Sequence, residues 1–197
     1  MPGVPEELPV DDLIRYLGLL RTWGKTYNLT AIHEPEKMVT HHVLDSLSVL
    51  PFIKGKHCLD VGTGAGLPGL ILALARPDTE WVLLDSNRKK IRFVNQVIME
   101  LGISNVTAIC ARVEDWHSER VISYIVTRAF SSLSDIYAKT RHLLEQESCL
   151  LAMKSGSVKE EIAALKGCIS TDVHELHVPG LNAKRMLVEI RPLPSGN

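Results

Sequence analysis

Leu59-Asp60-Val61-Gly62-Thr63-Gly64-Ala65-Gly66-Leu67-Pro68-Gly69 is the stretch on which the fold turns. His57-Cys58 precedes it, so a short apolar run over 57–61 flows straight into a glycine cluster and reads as a strand. After it, Leu70 to Ala75 is apolar and helix-forming, and Arg76-Pro77-Asp78 stops it. Gly62, Gly64 and Gly66 make a GxGxG run between strand and helix. Glycine admits a positive φ, and its missing Cβ lets a ligand approach the backbone. Pro68 suits the first helical turn, where no N–H is needed, and the free N–H groups at such a helix start favour an anionic group.

Outward from this loop the pattern is strand, helix, strand, helix. Trp81 to Leu84 reads as a second strand, and Asn87 to Leu101 as a helix with Ile91, Val94, Ile98 and Leu101 inward and Gly102 as its stop. Val106 to Cys110, Ile122 to Thr127 and Ser148 to Met153 are three more strands. Helical material lies at Ser134 to Leu144 and Val158 to Leu165, and strands near 171–178 and 185–191 are placed to close the sheet as a hairpin. The tail beyond Arg191 is expected to be loose. Seven strands alternating with helices imply right-handed crossovers and a mainly parallel, Rossmann-like α/β sheet. Ligands of such sheets bind at the carboxyl ends of the strands, near the point where strand order reverses. Before the first strand the grammar is helical. Residues 8–24 carry Leu13, Leu17, Leu20 and Trp23 at helical spacing with Asp11 and Asp12 in the first turn, and Pro35 opens a second stretch that stops at Pro51. The expected organisation is therefore a helical lobe, 1–55, and a ligand-binding domain, 56–197.

The bulk numbers exclude several classes. A 197-residue chain that is 45% hydrophobic buries an adequate core without disulfides or a structural metal. Net charge is -1, from 22 basic and 23 acidic residues, which argues against an indiscriminate nucleic-acid coat but leaves room for a local basic face. No apolar run approaches the roughly 20 residues that cross a bilayer. The acidic, proline-containing start lacks a basic n-region and an apolar h-region, so a cytoplasmic protein is expected. Cys58, Cys110, Cys149 and Cys168 are too dispersed for a CxxC pair and read as buried small hydrophobes. His33, His41 and His42 lack metal spacing, so no metal is expected; a monomer is.

Two cofactor classes use a glycine loop of this kind. Gly64-x-Gly66-x-x-Gly69 also satisfies the dinucleotide pattern, so the glycines alone leave the choice open. Three features favour S-adenosylmethionine. Asp60 precedes the first glycine of the loop, within reach of the amino group of an amino-acid moiety. Asp85 ends the second strand, where a carboxylate accepts from ribose hydroxyls, and suits either cofactor. Val113-Glu114-Asp115 follows the third strand, at the place for an adenine edge. Little chain follows the loop in which to build a separate dehydrogenase substrate domain. Methyl transfer asks mainly for alignment of nucleophile, methyl and sulfur, the cofactor carrying the hard chemistry.

The acceptor is read partly from missing motifs. At the end of the fourth strand the chain has Val126-Thr127-Arg128-Ala129-Phe130 rather than the Asn/Asp-Pro-Pro-aromatic loop of exocyclic-amine methylation, and no Pro-Cys pair for cytosine C5 occurs. What remains includes ring nitrogens such as guanine N7, which attack without losing a proton, and no catalytic base is assigned. Arg128 at a strand end suits a cofactor carboxylate, an RNA phosphate or a guanine edge. Phe130 reads as core, with base stacking as the alternative. Arg88-Lys89-Lys90-x-Arg92 reads first as a solvated face, and Arg15, Arg21, Lys25, Lys154, Lys184 and Arg185 are further cations that sequence does not place on one side.

Several segments together resemble a known family, the bacterial RsmG (glucose-inhibited division protein B) methyltransferases. They are Tyr27-Asn28-Leu29-Thr30-Ala31-Ile32, His42-Val43-Leu44-Asp45-Ser46-Leu47, the glycine loop from Asp60 to Gly69, Leu83-Leu84-Asp85-Ser86, Arg112-Val113-Glu114-Asp115 and Thr127-Arg128-Ala129-Phe130. The resemblance covers most of the chain and implies a class I S-adenosylmethionine-dependent sheet of seven strands. It implies methylation of guanine N7 in 16S ribosomal RNA, with the small ribosomal subunit as partner. By the same resemblance Gly62, Leu67, Val113, Glu114 and Arg128 contact the cofactor, joining Asp60, Gly64 and Asp85 from the residue reading. Thr127 stands where many members have serine, and the C-terminal part matches more loosely. Alternatives on the same residues are a small-molecule methyltransferase, an RNA-binding assembly factor without turnover and, more distantly, a nicotinamide oxidoreductase.

Overall fold

The computed structural model describes residues 5, 7–129, 132–165 and 169–193. Phe130, Cys168 and the end of the tail lie outside the described residues, as does the side chain of Lys25. Helix α1 (Val10–Tyr27) has Asp11 and Asp12 in its first turn and ends on Asn28 at φ 51. Leu13, Tyr16 and Leu20 bury one side of it. Pro35 does open the next helical run: α2 (Pro35–Met38), a wider π turn over Val39–Leu44, and α3 (Asp45–Leu47). His42, Val43, Asp45, Ser46 and Leu47 of this run are buried. Leu50–Phe52 closes the segment as a single 3-10 turn.

The sheet is built from β1 (His57–Val61), β2 (Glu80–Asp85), β3 (Val106–Cys110), β4 (Tyr124–Arg128), β5 (Cys149–Ser155), β6 (Ile169–Leu176) and β7 (Arg185–Pro192). Helices α4 (Gly69–Ala75), α5 (Arg88–Leu101), α6 (Leu133–Thr140) and α7 (Lys159–Ala163) connect them. Strand order is β3-β2-β1-β4-β5-β7-β6. The first five strands are parallel, and β7 runs antiparallel between β5 and β6. The expected terminal hairpin forms, with its later strand inserted into the sheet and β6 at the edge. The chain winds outward through β1, β2 and β3, then returns to β4 beside β1, so order reverses between β1 and β4. Register fixes what meets there. Val61 pairs with Leu84 and Thr127, Asp85 with Cys110, and Arg128 with Met153, so these carboxyl ends share one rim.

Strand alternation splits the core between the two faces. Cys58, Trp81, Leu83, Val126 and Leu151 pack under α1, α4 and α5 with Leu13, Tyr16, Leu20, Leu70 and Phe93. Leu59, Val61, Leu84, Ile125, Leu150 and Val188 face the other way, toward Leu133 and Ile136 of α6. Between β3 and β4 the crossover carries one 3-10 turn, Val113–Asp115, in place of a full helix. Among the described residues no helix is long and apolar enough to cross a membrane.

Candidate active site

The glycine loop is held by its own side chains. Gly62 and Thr63 N–H groups both donate to the Leu84 carbonyl, at 2.8 and 3.0 Å, which folds the loop over the end of β2. Gly62, Gly64 and Gly66 have φ of 71, 60 and 85°, the left-handed region expected for them. Space around the glycines is used unequally. A Cβ on Gly66 would sit 2.2 Å from the Leu70 side chain, and one on Gly69 would sit 2.7 Å from Asp60 Oδ2. These two make room for the protein itself, whereas around Gly64 the nearest atom to a Cβ is the Gly62 carbonyl at 3.8 Å. Gly64 therefore has open room beside it.

Asp60 is wholly buried at the start of α4. Its Oδ2 accepts from Thr63 Oγ at 2.7 Å and from the Gly69 N–H at 2.8 Å, while Oδ1 is buried with no donor. Burial pushes this carboxyl up to about 6, against the two hydrogen bonds and the more distant Arg128, which pull it down. A carboxylate thus occupies the helix start where sequence reading placed an anion. A pyrophosphate there would meet like charge and find the first helical N–H already bonded, which disfavours the dinucleotide alternative. A cationic ammonium would instead supply the donor that Oδ1 lacks.

Asp85 ends β2 almost buried, with Oδ1 accepting from the Asn87 N–H at 2.8 Å and Oδ2 from the Gly64 N–H at 3.0 Å. Lys90 Nζ lies 3.6 Å from Oδ2. Each carboxylate oxygen keeps a second lone pair for a ribose hydroxyl. Gly62, Asp85, Val113 and Glu114 line one small cleft of about 120 Å3 together with Ser86, Arg112 and Lys139. Val113 is buried, while Glu114 is half exposed and pairs with Lys139 at 3.6 Å. Leu67 stands apart, buried in the core behind the loop. The acceptor set suits an adenosine joined to an amino acid: carboxylates for the ribose hydroxyls and the ammonium, and an apolar wall at Val113.

Arg128 sits on the other side of the strand-order reversal. It lines a larger cavity of about 550 Å3 at the ends of β4 and β5, with Thr30, His41, His42, Asp45, Lys154 and Arg185 among the lining residues. Its Nη1 donates to the His41 carbonyl at 3.0 Å and lies 3.3 Å from Asp45 Oδ2. Ala129 follows at φ 58, a non-glycine residue held left-handed at the cavity wall. Burial pushes His42 down to about 4, with Arg128 adding to the effect, and its Nε2 lies 2.9 Å from Thr30 Oγ. Of the scattered cations, Lys154 and Arg185 reach this cavity. Arg15 and Lys184 pair elsewhere, with Asp12 and Glu175, and Arg88, Lys89 and Arg92 are exposed on α5. Sequence reasoning missed Asp45 as a site residue, although the His-x-x-Asp-Ser-Leu segment that carries it was conspicuous. No group of His, Cys, Asp and Glu that could hold a metal occurs among the described residues.

A family model described as rRNA small subunit methyltransferase G, GidB, matches residues 10–188. The protein named ribosomal RNA small subunit methyltransferase G in Nitrosococcus oceani is 44% identical over 193 residues, covering 98% of this chain and 90% of its own. Its namesake in Chromobacterium violaceum is 47% identical over 186 residues, covering 93% and 89%. Among solved structures, a SAM dependent methyltransferase from Aquifex aeolicus aligns with TM-score 0.59 at 15% identity, covering 80% of this chain and 94% of that one. The structure of DhpI with SAH gives 0.61 at 16% identity over 94% and 99%. At these identities the structural likeness establishes the fold, a class I methyltransferase sheet.

Proposed function

As the chain belongs to the rRNA small subunit methyltransferase G (GidB) family, we propose that it transfers the methyl group of S-adenosylmethionine to N7 of one guanine in 16S ribosomal RNA. The observation that carries the cofactor half is the buried Asp60 carboxylate at the start of α4, with one oxygen lacking a donor. That arrangement suits the ammonium of an amino acid and repels a phosphate. In this reading Glu114 and Val113 hold the adenine edge, Asp85 the ribose, and Gly62 and Gly64 leave the backbone approachable. Leu67 acts from behind, by packing that holds the loop. Arg128, at the seam between cleft and cavity, takes the cofactor's carboxylate. When bound, the cofactor supplies a methyl group on a positively charged sulfur, which leaves as a neutral thioether.

The cavity at the ends of β4 and β5 takes the acceptor base. Guanine N7 attacks with a lone pair and needs no base, and His42, pushed down to about 4, is too weak a base to remove a proton at neutral pH. The division at residue 55 enters this proposal as a division of labour. The lobe, 1–55, supplies the Thr30, His41 and Asp45 wall of the acceptor cavity, and the domain 56–197 supplies the cofactor cleft. We place the protein in the cytoplasm as a monomer, acting on the small subunit. A small-molecule methyltransferase is less well supported, because such a site calls for an enclosed apolar pocket and this cavity is lined by Arg128, Lys154 and Arg185.

The cofactor half is tested by calorimetric titration with S-adenosylmethionine. Gly62→Arg forces a long side chain onto a backbone at φ 71, against a left-handed cost of about 1–2 kcal/mol, and is expected to abolish binding. NAD is expected not to compete. Unchanged affinity in Gly62→Arg sinks the assignment of the loop.

A further inference from the structure

Asp45 is a buried carboxylate that divides itself between two arginines from distant strands. Its Oδ2 faces Arg128 Nη1 at 3.3 Å, and its Oδ1 accepts from Arg185 Nε at 2.9 Å. The Asp45 side chain is 3% exposed, while Arg128 and Arg185 are 22% and 20% exposed and line the acceptor cavity. Nη2 of Arg128 and both terminal nitrogens of Arg185 make no hydrogen bond among the described residues. Two guanidiniums side by side repel, and one carboxylate between them offsets that repulsion while fixing both orientations. Guanidinium nitrogens that are partly exposed at an open cavity, with no acceptor among the described residues, suit an anionic or carbonyl-rich ligand. An RNA phosphate or the O6 edge of guanine offers that chemistry, and a contact to O6 leaves N7 clear for methylation.

We propose that Asp45 is a positioning residue that aims Arg128 toward the cofactor and Arg185 toward the RNA, so that one carboxylate sets both halves of the reaction. This rests on the function proposed above. The test measures KM and kcat on small ribosomal subunits, and cofactor affinity by calorimetry, for four proteins: wild type, Asp45→Asn, Arg185→Gln and the double variant. Loss of one charge-assisted contact predicts that Arg185→Gln raises KM for subunits about tenfold, with kcat and cofactor affinity within about twofold. Asp45→Asn should raise KM by a similar factor and also weaken cofactor binding severalfold. The double variant should show a KM no higher than Asp45→Asn alone, because both changes remove the same contact. Asp45→Glu is expected to recover part of the loss.

A KM in Arg185→Gln within twofold of wild type overturns the proposal. Circular dichroism checks that each variant is folded, and Arg185→Lys, which keeps the charge beside Asp45 but loses the guanidinium fork, takes the place of Arg185→Gln if that variant does not fold. Multiplying defects in the double variant would overturn it too, showing that Asp45 and Arg185 act separately. If wild-type protein transfers no methyl group to subunit RNA, the failure lies with the proposed function; wild-type transfer with unaffected variants condemns the positioning role alone.

Discussion

Burial raises the Asp60 carboxyl to about 6, well above its ordinary 3.8. The folded protein therefore binds more protons than the unfolded chain between about pH 4 and 6, and stability falls as pH rises through that window, then levels off. A shift of this size corresponds to a cost of roughly 3 kcal/mol at neutral pH. Asp60→Asn is expected to raise the unfolding free energy of the cofactor-free protein by up to that order at pH 8 and to give little gain at pH 4. Thermal unfolding across the range reads this directly. An ammonium beside the ionised carboxylate offsets the same cost, so S-adenosylmethionine should bind more tightly as pH rises through about 6, and Asp60→Asn should flatten the profile. A wild-type affinity that ignores pH between 5 and 8 would contradict the placement of the ammonium at Asp60. Sequence shows an acid before the glycines; that it caps α4 and carries an oxygen without a donor depends on the loop folding back, which no spacing reveals.

Among the elements, α1 supports the site from behind the glycine loop. Tyr16 is fully buried, and its hydroxyl donates to the Ala65 carbonyl at 2.9 Å, tying the N-terminal helix to the glycine loop. Phe93 of α5 packs beside it, with ring centroids 6.4 Å from Tyr16 and 5.9 Å from Trp23. Tyr16→Phe keeps the packing but leaves Ala65 without its donor, so chemical denaturation should show a loss of about 1–3 kcal/mol. A stability within 0.5 kcal/mol of wild type, about the size of an ordinary surface change, would mean that the bond holds nothing. The periodicity of Leu13, Leu17 and Leu20 makes α1 legible, because helix burial follows a local repeat. The hydroxyl contact across 49 residues is not legible in that way. The second run shows the same limit from another side. Pro35 marks its start, but that the face carrying His42 and Asp45 meets the ends of β4 and β7 depends on where the run packs, which no spacing reveals.

Across the whole molecule, the five parallel strands were legible because each is a short apolar run, whereas β6, with Ser170, Thr171, Asp172, His174 and Glu175, is mostly polar and lies two residues before its expected place. The strand order, with β7 inserted beside β5, follows from where the last hairpin packs and from no local pattern. The cleft proposed for the cofactor was legible as a set of neighbours, since Gly62, Asp85 and Val113-Glu114 each end one of three successive parallel strands or open the loop behind it. The cavity proposed for the acceptor was not. Arg128 and Arg185 meet Asp45 across 83 and 140 residues of chain, contacts that only the closed sheet brings together. Leu67 falls between the two: it matches the family pattern yet lies in the core, supporting the loop from behind.

The most direct measurement uses small ribosomal subunits from cells lacking this gene, incubated with the protein and methyl-labelled S-adenosylmethionine, after which the RNA is digested to nucleosides. Label is expected in 7-methylguanosine at a single position of the 16S RNA, and none with the Gly62→Arg variant. Label in any other nucleoside, or none despite normal cofactor binding, would contradict the proposed function.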